Sequence, residues 1–136
     1  ERQNMIISGL RYFSEKPLFG HGINGFMNLY GDEFGNYAYA HNNFVELLVG
    51  IGLIGFTIYY SIYIYLLYNL SIKTIREKDN ISAFLFSVIV SYLIMQYAFV
   101  SYNDFLNNFF LLVGIAYIRS FKRKNAIIEE ALINKI

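Results

Sequence analysis

The chain has 136 residues, of which 56% are hydrophobic, 19% aromatic and only 15% charged. Soluble domains carry roughly 25% charged residues, so the surplus here is apolar and points to lipid as the solvent. The absence of cysteine excludes a disulfide framework and a thiolate metal site, and a net charge of +1 leaves no nucleic-acid footprint.

Residues 3–15 read as an amphipathic helix. At about 100° per residue, Met5, Ile6, Gly9, Leu10 and Phe13 share one face, and Gln3, Asn4, Ser8, Arg11, Ser14 and Glu15 fall mostly on the other. Arg2 projects onto the apolar face, where an arginine either snorkels or pairs with an anion. Arg11 lies opposite, on the polar face. Pro17 should end the helix. A loop follows with Gly20, Gly22, Gly25, Gly31 and Gly35, which can bring backbone close to a ligand.

Asn43 suits the N-cap of a first apolar run, Phe44 to Leu70, with Glu46 placed as in a capping box. His41 and Asn42 then stand at a helix mouth that favours anions. At 1.5 Å per residue the run is roughly 40 Å long, enough to cross a membrane with tilt. A second run, Ile81 to Ser101, carries no charge. A third, Phe105 to Ile118, is expected to place Asn107 and Asn108 at an interface and to end where Arg119 can snorkel.

Charge placement sets the expected topology. Loop 71–80 carries Lys73, Arg76 and Lys78, and the segment after the third run carries Arg119, Lys122, Arg123 and Lys124. Three spans put both on one side, the cytoplasmic side by the positive-inside rule. Residues 1–43 and the turn Tyr102-Asn103-Asp104 fall outside. The expectation is an all-α, polytopic membrane protein. Three transmembrane helices occupy 44–121, preceded over 1–43 by the amphipathic helix and the Gly-rich extracytoplasmic loop. Residues 122–136 form a cytoplasmic tail, with a helix over 125–136 lying on the membrane surface.

Several motifs have plain readings. Gly20-His21-Gly22-Ile23-Asn24-Gly25 and Gly50-Ile51-Gly52-Leu53-Ile54-Gly55 match G-x-G-x-x-G but lack the strand and acidic residue of a dinucleotide site. The second glycine set should let another helix approach closely. The sequons at Asn69 and Asn80 fall on the expected cytoplasmic side. His21, Asp32, Glu33 and His41 lack a ligand spacing, so no metal is expected, and His21 reads as a loop histidine facing water. His41 is either an idle interface residue or, as an imidazole, a base or phosphate donor.

Two stretches resemble a known family. Pro17-Leu18-Phe19-Gly20-His21-Gly22-Ile23-Asn24-Gly25-Phe26 is similar to the P-L-x-G-x-G-x-x-x-F segment of the O-antigen ligase and O-antigen polymerase family. His41-Asn42-Asn43-Phe44-Val45-Glu46-Leu47-Leu48-Val49-Gly50-Ile51-Gly52-Leu53-Ile54-Gly55 resembles its H-N-x-x-L-x-x-x-x-x-G-x-x-G segment. Arg2 falls where the family carries an arginine opening the same helix. Val45 replaces the usual leucine, and Ile6 an aromatic that often follows the arginine. The resemblance covers residues 1–70 by motif and the rest by span pattern. The chain starts at Glu1 and shows no signal peptide at its start, so it reads as the C-terminal part of a longer protein whose N-terminal spans supply further phosphate-binding residues.

The resemblance implies a metal-independent, cofactor-free glycosyltransferase of the bacterial cytoplasmic (inner) membrane, acting on its outer face in polysaccharide biosynthesis. It implies transfer of a glycan from undecaprenyl pyrophosphate to an acceptor sugar hydroxyl. The reading is an O-antigen or capsule repeat polymerase; the alternative is an O-antigen ligase acting on lipid A-core. The implied catalytic residues are Arg2 at the pyrophosphate and His41 at the acceptor hydroxyl or phosphate. Asn42, Asn43, Arg11, Gly20 and Gly22 are the implied substrate-binding residues. Expected partners are the lipid-linked glycan, the acceptor glycan, membrane lipid and the missing spans of the same protein, with no nucleic acid. The fragment alone should be inactive. A transporter or polysaccharide translocator, or a structural membrane protein, would show the same spans but would not depend on Arg2 and His41.

Overall fold

The computed structural model describes residues 2–133, with side chains through Phe121 and at Arg123. Five helices follow one another: α1 (Arg2–Glu15), α2 (Gly25–Phe34), α3 (Asn43–Glu77), α4 (Asn80–Met95) and α5 (Phe105–Ile133). The described residues contain no strand, so the all-α expectation holds.

α1 lies where the periodicity puts it, but its buried stripe is Met5, Ser8, Gly9 and Tyr12, with Leu10 exposed. The face is turned because α1 packs against two neighbours, α2 and α3. α2 replaces part of the expected loop. It buries Phe26 and Tyr30, one helical turn apart, and ends at Gly35, whose left-handed φ of 71° lets its N–H reach Gly31 O. Met5, Tyr12, Phe26, Tyr30, Ala40, Val45 and Val49 make this outer core.

α3 begins one residue earlier than expected. Asn42, extended at φ −157°, is the N-cap, and its side chain accepts from Phe44 N and Val45 N. Asn43 is instead the first helical residue. α3 is then broken at Gly52, whose φ of 64° and ψ of −172° are open only to glycine. Such a break strands carbonyls before it and amides after it. The loop after Pro17 supplies partners for both. His21 N and Gly22 N donate to Val49 O and Gly50 O, each at 2.8 Å. Leu53 N and Ile54 N donate back to Pro17 O and Leu18 O, at 2.8 and 3.2 Å. The glycines of the two family-like segments therefore face each other across one seam. A Cβ on Gly20 would lie 2.5 Å from Gly50 O, and one on Gly52 would lie 2.6 Å from Gly20 N. A loop backbone, not a second helix, is what approaches here.

Beyond the break, α3, α4 and α5 pack around Tyr60, Tyr63, Leu66, Leu70, Leu85, Ile89, Leu111 and Ile118. Polar side chains cross-link them. Tyr60 OH donates to Gln96 Oε1 at 2.8 Å, and Tyr63 OH donates to Asn107 Oδ1 at 2.7 Å. Asn107 is thus inside the bundle at 1% exposure, not at an interface. Interhelical hydrogen bonds of this kind hold apolar helices together in lipid, where hydrophobic burial between helices contributes little.

The membrane expectation is met by one helix. Among the described residues α3 alone is long and apolar enough to cross a membrane. α4 and the apolar stretch Phe105–Phe121 are shorter apolar helices; the 16 residues of α4 make about 24 Å. α4 stops short of Ser101 because the chain turns after Met95 to bury Gln96, whose carbonyl accepts from Asn43 N at 2.9 Å. Nor is 71–80 a loop: α3 runs through Glu77, and Lys78-Asp79 alone connect it to α4. α5 continues without interruption to Ile133. Of the expected helix over 125–136, α5 includes 125–133, while its side chains and residues 134–136, on which a membrane-surface placement depends, lie outside the described ones.

Candidate functional site

The start of α3, the start of α1 and the end of α4 meet at one place. Arg2, in the first turn of α1, donates from Nη2 to His41 O at 3.1 Å and to Tyr97 O. Its guanidinium also lies 5.4 Å from the centroid of the Tyr97 ring. Both hydrogen bonds come from one nitrogen, so Nη1 and Nε keep the other three of the five guanidinium N–H groups for a ligand. Asn42 Nδ2 donates to the same Tyr97 carbonyl at 3.4 Å.

His41 is exposed, and its φ of 49° is left-handed, uncommon for a residue other than glycine. Its ring makes no hydrogen bond among the described residues and faces outward from the helix mouth. The arrangement sets a permanent cation and an exposed imidazole side by side at the start of α3, whose first amides are already taken by Asn42 Oδ1 and Gln96 O. Such a combination can neutralise a leaving phosphate and take a proton from a nearby hydroxyl.

Glu46, 3% exposed, lies just beneath. Its Oε2 accepts from Ala40 N at 2.9 Å, reaching past the cap rather than back to it as a capping box would. With Asn24, Tyr59 and Tyr102 it borders a cavity of about 250 Å³ whose remaining wall is apolar.

The other expected site residues are elsewhere. Asn43 is fully buried: its Nδ2 donates to Tyr60 OH, and its Oδ1 accepts from Ser101 N and Tyr102 N. It anchors the α4–α5 connection and presents nothing to a substrate. The amides of Gly20 and Gly22 are spent on Lys16 O and Gly50 O, so their freedom serves the seam with α3. Arg11 is nine residues, about 14 Å of helix, from Arg2 and pairs with Glu33. Tyr12 OH also donates to Glu33 Oε2, at 2.5 Å. Arg11 and then Tyr12 hold the Glu33 carboxyl below its ordinary value, while burial and Glu33 push the Tyr12 hydroxyl up to about 12. His21 does not face water: its Nε2–H donates to Tyr12 O at 2.8 Å. No group of metal-binding side chains occurs among the described residues.

Sequence reasoning therefore places Arg2, His41 and Asn42 together and misses Tyr97 and the role of Glu46. The signal for Glu46 was its isolation, since no other charge follows it in α3 before Lys73. Tyr97 contributes a backbone carbonyl, which no residue type announces.

The sequence of this region has a counterpart among known families. Residues 1–60 match the family model of O-antigen ligase. That match takes in 60 of the 136 residues, less than half of the chain. The match spans both motif segments, Arg2 and the whole Gly52 seam, whereas Tyr97 lies beyond it. The matched family consists of membrane proteins and is glycosyltransferase-like. No curated protein and no solved structure matches the chain.

Proposed function

We propose that the chain belongs to a membrane glycosyltransferase that moves a glycan from undecaprenyl pyrophosphate to a sugar hydroxyl of an acceptor repeat. The observation that carries this reading is Arg2 Nη2 seated on the carbonyl of His41, 3.1 Å away. It keeps a cation with unspent donors beside a free imidazole. The acceptor oxygen attacks the anomeric carbon, and the bond from that carbon to the phosphate oxygen breaks. The electron pair leaves with the pyrophosphate, whose charge Arg2 offsets. The acceptor proton passes to His41. No step calls for a metal.

The site lies on the extracytoplasmic face in this proposal, with 44–121 in the membrane and the loop and tail inside. Large apolar side chains turn outward from all three bundle helices, among them Ile58, Ile64, Phe84, Ile94, Phe109 and Leu112, which suits lipid. Lys73 lies over the Tyr117 and Phe121 rings, which draws the basic ends of α3 and α5 to the same side, as positive-inside placement requires. The name of the matched family favours a second reading, ligation to lipid A-core.

His41→Ala and Arg2→Ala in the full-length protein are the test. Each should lower polymer formation by about 10²-fold or more while membrane accumulation stays normal. Normal polymer in both would remove the mechanism. Loss of lipid A-core capping with repeat polymer intact would favour the ligase reading, and loss of solute uptake instead would favour a transporter.

A further inference from the structure

The segment Ala40-His41-Asn42 is pinned at every residue. Asn42 caps α3 through its side chain. The His41 carbonyl accepts from Arg2. Ala40 is fully buried, and its N–H donates to Glu46 Oε2. Between these fixed points His41 adopts a left-handed backbone, uncommon for any residue that carries a Cβ. A residue in such a conformation stays there because its surroundings hold it.

Glu46 makes the least expected of these contacts. It is a carboxylate at 3% exposure in the first turn of an apolar helix, where an unheld charge is costly. Among the described residues its side chain has one hydrogen-bond partner, the Ala40 amide. A leucine there would fill the space but would accept nothing, and the Ala40 amide would be buried without a partner. The chemistry of this side chain is therefore spent on the backbone of the residue before His41.

We propose that Glu46 is a positioning residue for His41: by holding the Ala40 amide it fixes the left-handed turn that aims the imidazole out of the helix mouth. The proposal rests on the reading of His41 as the residue that takes the acceptor proton. Reactions of positioned groups are sensitive to displacements of about 1 Å, which can cost roughly 10²-fold in rate.

The test uses two near-isosteric variants of the full-length protein, in membrane vesicles supplied with its lipid-linked donor. In E46Q the amide oxygen can still accept from Ala40; in E46M nothing can. E46M should lower kcat by about 10- to 100-fold with the donor KM nearly unchanged. E46Q should stay within about threefold of the unmodified protein, with an overlaying pH profile. The proposal is overturned if E46M turns over normally, if E46M raises KM alone, or if E46Q falls as far as E46M. A shifted pH profile in E46Q also overturns it, and that result needs only the milder variant to fold. H41A separates this inference from the reading beneath it. Activity in H41A removes both, whereas an inactive H41A beside an unimpaired E46M removes the positioning role alone.

Discussion

Gly52 and Gly20 meet backbone to backbone, and the cost of a methyl at either can be ranked. Gly52 occupies a region essentially reserved for glycine, so Gly52→Ala should lose roughly 1–3 kcal/mol from the backbone alone, with a clash against Gly20 N added. Gly20→Ala should be similarly severe, because its Cβ would lie 2.5 Å from Gly50 O. Gly22 has a φ of 94° but open space around a Cβ, so Gly22→Ala should cost only about 1–2 kcal/mol. Thermal unfolding of the detergent-purified protein would give the order; a Gly22 variant as damaged as the Gly52 variant would contradict it. The glycines were visible in the sequence, but their mutual contact was not. Main-chain hydrogen bonds between distant segments leave no mark on residue type except the missing Cβ, and a missing Cβ is equally consistent with a helix or a ligand coming close. His41 and Arg2 were legible because each is a charge-bearing group on an otherwise apolar or turn-like stretch.

At the scale of elements, the junction of α3 with α4 rests on one carboxylate. Asp79 accepts from Ile81 N and Ser82 N, from Ser82 Oγ at 2.5 Å and from Tyr117 OH at 2.6 Å. It caps α4 and fastens α5 to it. The Ser82 hydroxyl and then Tyr117 hold its carboxyl below the ordinary value of 3.8. A lowered value in the folded state means a contribution complete above about pH 4 that disappears as pH falls through the lowered value. Asp79→Ala should therefore lower stability by about 1 kcal/mol at neutral pH and make the acid side of the stability profile less steep, measured by unfolding between pH 2 and 7. An unchanged profile would mean that the cap contributes nothing. The caps also show where pattern reading slips. Asn42 and Asn43 are adjacent and both suit an N-cap; packing of Asn43 against Tyr60 and the α4–α5 turn decides between them. α2 escaped notice because Gly25, Gly31 and Gly35 read as loop, although Phe26, Tyr30 and Phe34 recur at helical spacing and Gly35 is a natural stop.

For the whole molecule the open question of orientation has a direct measurement, since the chain has no cysteine to remove. Asn103 and Lys78 are both exposed and lie in the α4–α5 and α3–α4 connections. A membrane-impermeant maleimide should label Asn103→Cys in intact cells and Lys78→Cys only after the membrane is opened. The reverse pattern would invert the topology. Apolar runs made the bundle legible in outline, because lipid demands them. The ends of those runs were not, because Gln96 and Asn107 are polar residues drawn inward by Tyr60 and Tyr63. The broken α3 carries a mechanical implication as well. A helix interrupted at glycine is usually taken for a hinge, yet this one is bridged by four main-chain hydrogen bonds from the segment 17–22. It is a weld. The outer turn of α3 cannot swing without tearing that seam or dragging α1 along, and α1 bears Arg2. Any motion that opens the mouth of α3 must therefore carry arginine and histidine as one body, leaving their relative placement intact.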